Sequence, residues 1–175
     1  VIKIESLKGD MMRTFDNSFF EALNRNKKSI SINLKSVEGK KVFRKLAKNA
    51  DVIIDGFRPG KVKSLGVDYG RMKKINPKIV YCSITGYGQR GKNKGKAGHD
   101  LNYSALSGIL GILSKRPIVP GIQIADVSSA FMAAFSIVSS LYYRAMTGKG
   151  IYIDVSMLRS SLFVCGIHIS KYSSS

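Results

Sequence analysis

The sequence predicts an α/β domain with a parallel sheet flanked by helices. Three observations carry that class. Short strand-like runs alternate with helix-like segments from Val1 to Thr85, and this alternation builds parallel sheets. Two of those runs end in glycine-containing loops, Gly56–Gly60 and Gly86–Gly91, and ligands of open α/β sheets bind beyond strand C-termini. The 175 residues, 44% of them hydrophobic, suffice for one domain with a buried core.

Taken in order, Val1–Glu5 reads as a short buried strand. Ser6–Asn24 has no clean period and reads as an irregular excursion with one helical turn near Phe19–Leu23. Lys27–Leu34 alternates, with Ile30, Ile32 and Leu34 on one face, and reads as a strand. Ser36 is placed to cap a helix that runs to about Ala50. Asp51–Asp55 is the next strand, and Gly56–Gly60, with Pro59 inside it, the turn after it. Helical turns follow at Lys61–Gly66 and Asp68–Ile75, the second stopped by Asn76-Pro77. Lys78–Thr85 is a third strand in this run. Tyr103–Leu113 reads as one helix, Lys115–Gly121 as a Pro-bounded loop, and Ala125–Met146 as a long buried helix capped by Asp126. Gly148 is the stop for that helix. Ile151–Val155 is a last strand and Ser156–Ile169 a last helix.

Composition narrows the function classes. The formal charge is +18, which raises a nucleic-acid or anionic-ligand reading. The lysines are spread from Lys3 to Lys171 and do not interleave with aromatics, so no nucleic-acid partner is expected. The apolar stretch Ala125–Met146 carries Asp126, Arg144 and serines, so no membrane span is expected. Two widely separated cysteines and two histidines, His99 and His168, give neither a disulfide framework nor a metal site. A reducing, cytoplasmic setting is the default. The start on Val1 and the trailing serines read as a piece of a longer chain.

Ala97-Gly98-His99-Asp100-Leu101-Asn102-Tyr103 is the stretch with chemistry in it. It follows a loop of glycines and lysines and opens an apolar run. Gly98 allows a turn, and His99 and Asp100 fall where free backbone N–H groups favour negative charge. A histidine there can take a proton while amides hold an oxyanion. The plain alternative makes Asp100 a helix N-cap and His99 a loop residue.

The text VIKIE, ADVIIDGFRPG, NPKIVYCSITGYGQ, GHDLNYSALSG, ADV and TGKGIYIDVSM, in this order, resembles the family III CoA-transferases, the CaiB/BaiF group, and most closely its α-methylacyl-CoA racemase branch. The resemblance runs from Val1 to about Leu162. It implies a Rossmann-like large domain, here the partial CoA-binding domain over residues 1–175 without its small domain or first strand-helix unit. It also implies an interlocked homodimer and an acyl-CoA thioester substrate. Coenzyme A then arrives with the substrate, and no other cofactor or metal is expected.

Roles also follow from the resemblance. Transferases of the group use an aspartate nucleophile, and Asp100 is similar to that position. Racemases have a histidine just before it, as His99 is here, and pair it with a second aspartate that resembles Asp126. The expected reaction is therefore inversion at C2 of a 2-methylacyl-CoA through an enolate, with His99 and Asp126 as the two proton carriers. The alternative is transfer of CoA between carboxylic acids through an aspartyl-CoA at Asp100. Gly56, Arg58, Ile84, Gly98 and Tyr103 are implied to line the CoA path. Asn33-Leu34-Lys35 and Met157-Leu158-Arg159 depart from the family's usual wording.

Overall fold

The computed structural model describes residues 1–116 and 118–174. It is mixed α/β with every strand pairing parallel. The strands form two sheets where the sequence suggests one. β1 (Ile2–Glu5) pairs with β2 (Lys28–Ser31), and β3 (Val52–Asp55), β4 (Val80–Thr85) and β5 (Tyr152–Ser156) pair in that order.

The excursion between β1 and β2 is more regular than its sequence suggests. It holds α1 (Met12–Phe15) and α2 (Asn17–Asn24). Asp16 caps α2 by accepting from Phe19 N, a local bond that a periodicity search does not register. Ser36 does cap α3 (Val37–Lys48), accepting from Gly39 N at 3.0 Å. α4 (Lys61–Leu65) and α5 (Tyr69–Ile75) follow β3, and Asp68 caps α5.

Residues of α3, α4, α5 and β4 make the main core. Phe43, Ala47, Leu65, Val67, Met72, Ile79 and Tyr81 are all buried in it. Met72 and Ile79 are completely inaccessible. Because side chains alternate along a strand, Cys82 looks the other way. It meets Val155 of β5 and Ala133 of the long helix in a second, smaller cluster.

Three helix expectations need correction. Tyr103–Leu113 is two helices, α6 (Asp100–Leu106) and α7 (Ile109–Leu113), parted at Gly108 with φ +85°. That left-handed conformation is cheap only for glycine and ends a helix. The last helical stretch divides at Cys165 into α9 (Met157–Val164) and α10 (Gly166–Ser173). The long helix α8 (Ile124–Thr147) starts two residues before Asp126, with Gln123 as its N-cap. Pro117 of the Pro-bounded loop lies outside the described residues.

Nor is α8 buried. Its buried residues are Ala125, Ser129 and Ala133, the small ones that let it lie close to β4, β5, α6 and α9. Phe131 and Phe135 are each 73% exposed, and Val127, Val138, Tyr142 and Met146 share that outward face. By length and composition only, α8 is long and apolar enough to cross a membrane; in the fold it packs as one wall of the domain. The chain exposes 12120 Å², against about 8,400 Å² for a compact monomer of its mass.

Candidate active site

Beyond the C-terminal ends of β3 and β4 lies a cavity of about 610 Å³, a volume that suits a small-molecule ligand. Its walls come from several segments. The β3 turn gives Gly56, Phe57, Arg58 and Pro59; the β4 end gives Ile84, Thr85, Gly86 and Tyr87. The approach to α6 gives Lys94 to Tyr103 in part, and Asp126, Met157 and Met11 close the rest. Gly56, Arg58, Ile84, Gly98, His99, Asp100, Tyr103 and Asp126, the site residues expected from sequence, all border this one space.

The β3 turn is ordered by a buried carboxylate. Asp55 Oδ1 accepts from Phe57 N at 3.0 Å, and Oδ2 accepts from Ser83 Oγ at 2.6 Å. A carboxylate bonded twice fixes the start of the turn that carries Arg58. The loop after β4 is held from β5. Gly86 O accepts from Leu158 N and from Ser156 Oγ, and the Asp154 carboxylate accepts from Gln89 N.

Tyr103 sits between two glycines. A Cβ on Gly86 would lie 2.2 Å from the Tyr103 hydroxyl oxygen, and one on Gly98 would lie 2.8 Å from its ring. Only glycine permits that double approach. Tyr87 meets the same ring edge-on, with centroids 5.2 Å apart. Burial chiefly, then the charges of Tyr87 and Asp126, pushes the Tyr103 hydroxyl above its ordinary range, and Arg58 pulls the other way.

Asp100 is not the N-cap of α6; His99 is, and its backbone N–H donates to Asn102 Oδ1 at 2.8 Å. Asp100 opens the first turn and reaches across to α8. Its Oδ1 accepts from the backbone N–H of Asp126 at 2.9 Å, and its Oδ2 is 3.4 Å from the Ser104 hydroxyl that donates to it. Both carboxylate oxygens are thus engaged. The expectation that Asp126 caps its own helix is replaced by this arrangement, in which Asp100 caps α8 from α6. The Asp126 side chain accepts no hydrogen bond among the described residues and borders the cavity. Burial first and the Asp100 charge second push its carboxyl above the ordinary range, while His99 opposes them.

Sequence reasoning missed two features of the cavity wall. Met11 comes from the segment between β1 and β2, just before α1. Its loop is anchored by Glu5, which accepts from Arg13 Nε and Nη2, Ser29 Oγ and Asp10 N. The Arg13 bonds lead in holding the Glu5 carboxyl down to about 2. Thr85 is the second feature. It is 5% exposed, and its Oγ1 is buried with no hydrogen-bond partner among the described residues. A buried polar group left unpaired costs about 1–3 kcal/mol. Thr85 adjoins Ile84, so position next to an expected contact was the one available clue.

Comparisons with known proteins identify the family. The family model for CoA-transferase family III matches residues 1–175. Human succinyl-CoA:glutarate CoA-transferase is 38% identical over 97% of this chain and 41% of its own. Formyl-CoA:oxalate CoA-transferase of Streptomyces coelicolor is 34% identical over 97% of this chain and 43% of its own. A crystal structure of a CaiB/BaiF family protein from Brucella suis superposes with a TM-score of 0.95 at 34% identity, covering 100% of this chain and 50% of that one. The chain therefore spans half or less of the length of these relatives. With the whole sequence matched, a neighbouring fold superposed from end to end and a cavity at the strand C-termini, the chain belongs to CoA-transferase family III.

Proposed function

We propose that this chain carries the CoA-binding and nucleophile-bearing part of a CoA-transferase that moves CoA between two carboxylic acids, with Asp126 as the nucleophile. This reverses the order of preference drawn from the sequence and moves the nucleophile to Asp126 from Asp100, where the sequence-based transferase alternative had it. The relatives named above carry transferase names, which supports transfer over racemisation. The observation that carries the residue assignment is the Asp100–Asp126 pair. Asp100 spends both oxygens on Asp126 N and Ser104 Oγ, whereas the Asp126 carboxyl borders the cavity. The Asp126 side chain is open to solvent on the cavity side and free to reach a bound thioester.

The steps balance without any further reagent. An Asp126 carboxylate oxygen attacks the thioester carbonyl carbon, and the C–S bond breaks to release CoA thiolate. The thiolate attacks the aspartyl carbonyl of the resulting mixed anhydride and expels the first carboxylate. The acceptor carboxylate then attacks the aspartyl thioester, giving a second anhydride. Thiolate attack on its acyl carbonyl forms the new acyl-CoA and frees Asp126. Arg58, Lys94 and Lys96 border the same cavity and are suited to the phosphates of CoA.

Dicarboxylic acids are the proposed acyl class, by analogy with the glutarate and oxalate named for the relatives. A homodimer is part of the proposal, with the outward apolar face of α8 as support. So is a reducing, cytoplasmic setting, with Cys82 and Cys165 both free and buried.

One observation favours a second reading: His99 and Asp126 border one cavity, as two proton carriers flanking an α-carbon would. One experiment tests both. The whole protein is incubated with succinyl-CoA, trapped with hydroxylamine and mapped by peptide mass. A parallel tube holds a 2-methylacyl-CoA in deuterated water. A trapped adduct on Asp126 is expected. An adduct on Asp100 would move the nucleophile, and deuterium at C2 without acyl exchange would replace transfer by racemisation.

A further inference from the structure

We propose that the Thr85 hydroxyl is a binding contact for CoA itself, taking a hydrogen bond with the amide-bearing arm that joins the phosphates of CoA to its sulfur. This inference rests on the CoA-transferase reading above.

Three observations place it. Thr85 is the last residue of β4, the middle strand of its sheet, so it ends where ligands of parallel sheets bind. It lines the cavity between Ile84 and Gly86. It is buried, and its Oγ1 lacks any hydrogen-bond partner among the described residues. Native proteins pair nearly all buried polar groups, and an orphan calls for a reason. Its neighbours show that pairing was within reach of the fold. Ser83, two residues back on the same face, gives its hydroxyl to Asp55. Ser156, the register partner of Thr85 on β5, gives its hydroxyl to Gly86 O and accepts from Arg159 N. Among the described residues, Thr85 Oγ1 is the one buried side-chain polar atom left without a partner.

The choice of ligand group follows from what surrounds it. A threonine hydroxyl both donates and accepts, so it can serve either the C=O or the N–H of an amide. The acyl end of the thioester belongs at Asp126. The phosphates belong with the cations at Arg58, Lys94 and Lys96. The arm between them is a chain of amides, and Thr85 borders the same cavity on a neutral stretch of wall made by Ile84, Gly86 and Tyr87.

The test uses the whole protein, with free CoA and succinyl-CoA as titrants in calorimetry, and Thr85→Val as an isosteric variant. Thr85→Val is expected to bind both titrants about tenfold more weakly, the worth of one lost hydrogen bond. Without ligand it should melt at or above the parent temperature, because the lost hydroxyl has no internal partner. Thr85→Ser, which keeps the hydroxyl, should recover most of the affinity and stands in if the valine variant fails to fold. Unchanged affinity for both titrants, or a serine variant no better than valine, would overturn the proposal. Weakening for succinyl-CoA alone would also overturn it, by moving the contact to the acyl end. A parent protein that binds neither titrant would instead sink the CoA-transferase reading on which this one stands.

Discussion

Tyr81, near the start of β4, and Tyr103, beyond its end, are both almost completely buried, yet their settings differ. The Tyr81 hydroxyl donates to Val67 O at 3.1 Å, and its ring packs against Tyr69 and Tyr152. Met72 and Ile79 belong to the same cluster. Tyr103 is pressed between two glycines beside a cavity, with a hydroxyl at the wall of a site. Around it lie an aspartate whose charge is disfavoured and a threonine hydroxyl without a partner. One end of the strand satisfies its groups; the other holds groups in reserve for a ligand. Stability and reactivity are thus separated along a single strand, and the separation can be tested from both ends.

The largest expected effect is at the reserve end. Asp126→Asn should lower acyl transfer by about 10⁴-fold, as loss of a covalent nucleophile does. Peptide mapping after incubation with succinyl-CoA should show no adduct at position 126 in this variant, while the parent carries one.

At the satisfied end, Met72→Ala should reduce stability by about 2–5 kcal/mol in chemical denaturation while kcat of the folded enzyme stays at the parent value. An equal fall in kcat would show that the two ends are coupled. Gly98→Ala tests the seam between them. The added methyl meets the Tyr103 ring, and overpacking of this sort costs about 1–3 kcal/mol. A raised KM for the CoA substrate, with kcat less affected, is the expected kinetic sign.

The smallest effect concerns the Met11 anchor. Glu5 is held to about 2 from an ordinary 4.5, mostly by Arg13. Its contribution is present above about 4.5 and is lost as pH falls toward 2. Glu5→Gln should therefore melt lower than the parent at pH 7, with the gap closing by pH 2. A gap that persists at pH 2 would mean that packing, not charge, holds the anchor.

Much of the scaffold was legible because period and caps are local. The cap at Ser36, the helical turn ending at Ile75 and the β-branched run at Val52–Ile54 read correctly in isolation. The eight expected site residues also converge on one cavity, since strand ends and their loops are fixed by chain order. What escaped depends on contacts between distant segments. That Asp100 caps α8 is a bond across 26 residues, and no spacing rule predicts it. The break at Gly108 is a backbone conformation inside an apolar run. The exposure of α8 escaped because its apolar residues cover more than one face. A continuous apolar pattern says that a helix is to be covered, but not which neighbour covers it.

That last feature has a consequence for measurement. An outward row of Phe131, Phe135, Val138 and Tyr142 makes the folded state a reactant in any association that covers the row. Folding is then linked by mass action to how much protein is in the tube. If two copies share that face, each tenfold dilution removes about 1.4 kcal/mol from the apparent free energy per dimer. In that case a melting temperature is a property of the solution as well as of the chain, and has meaning only beside a stated concentration.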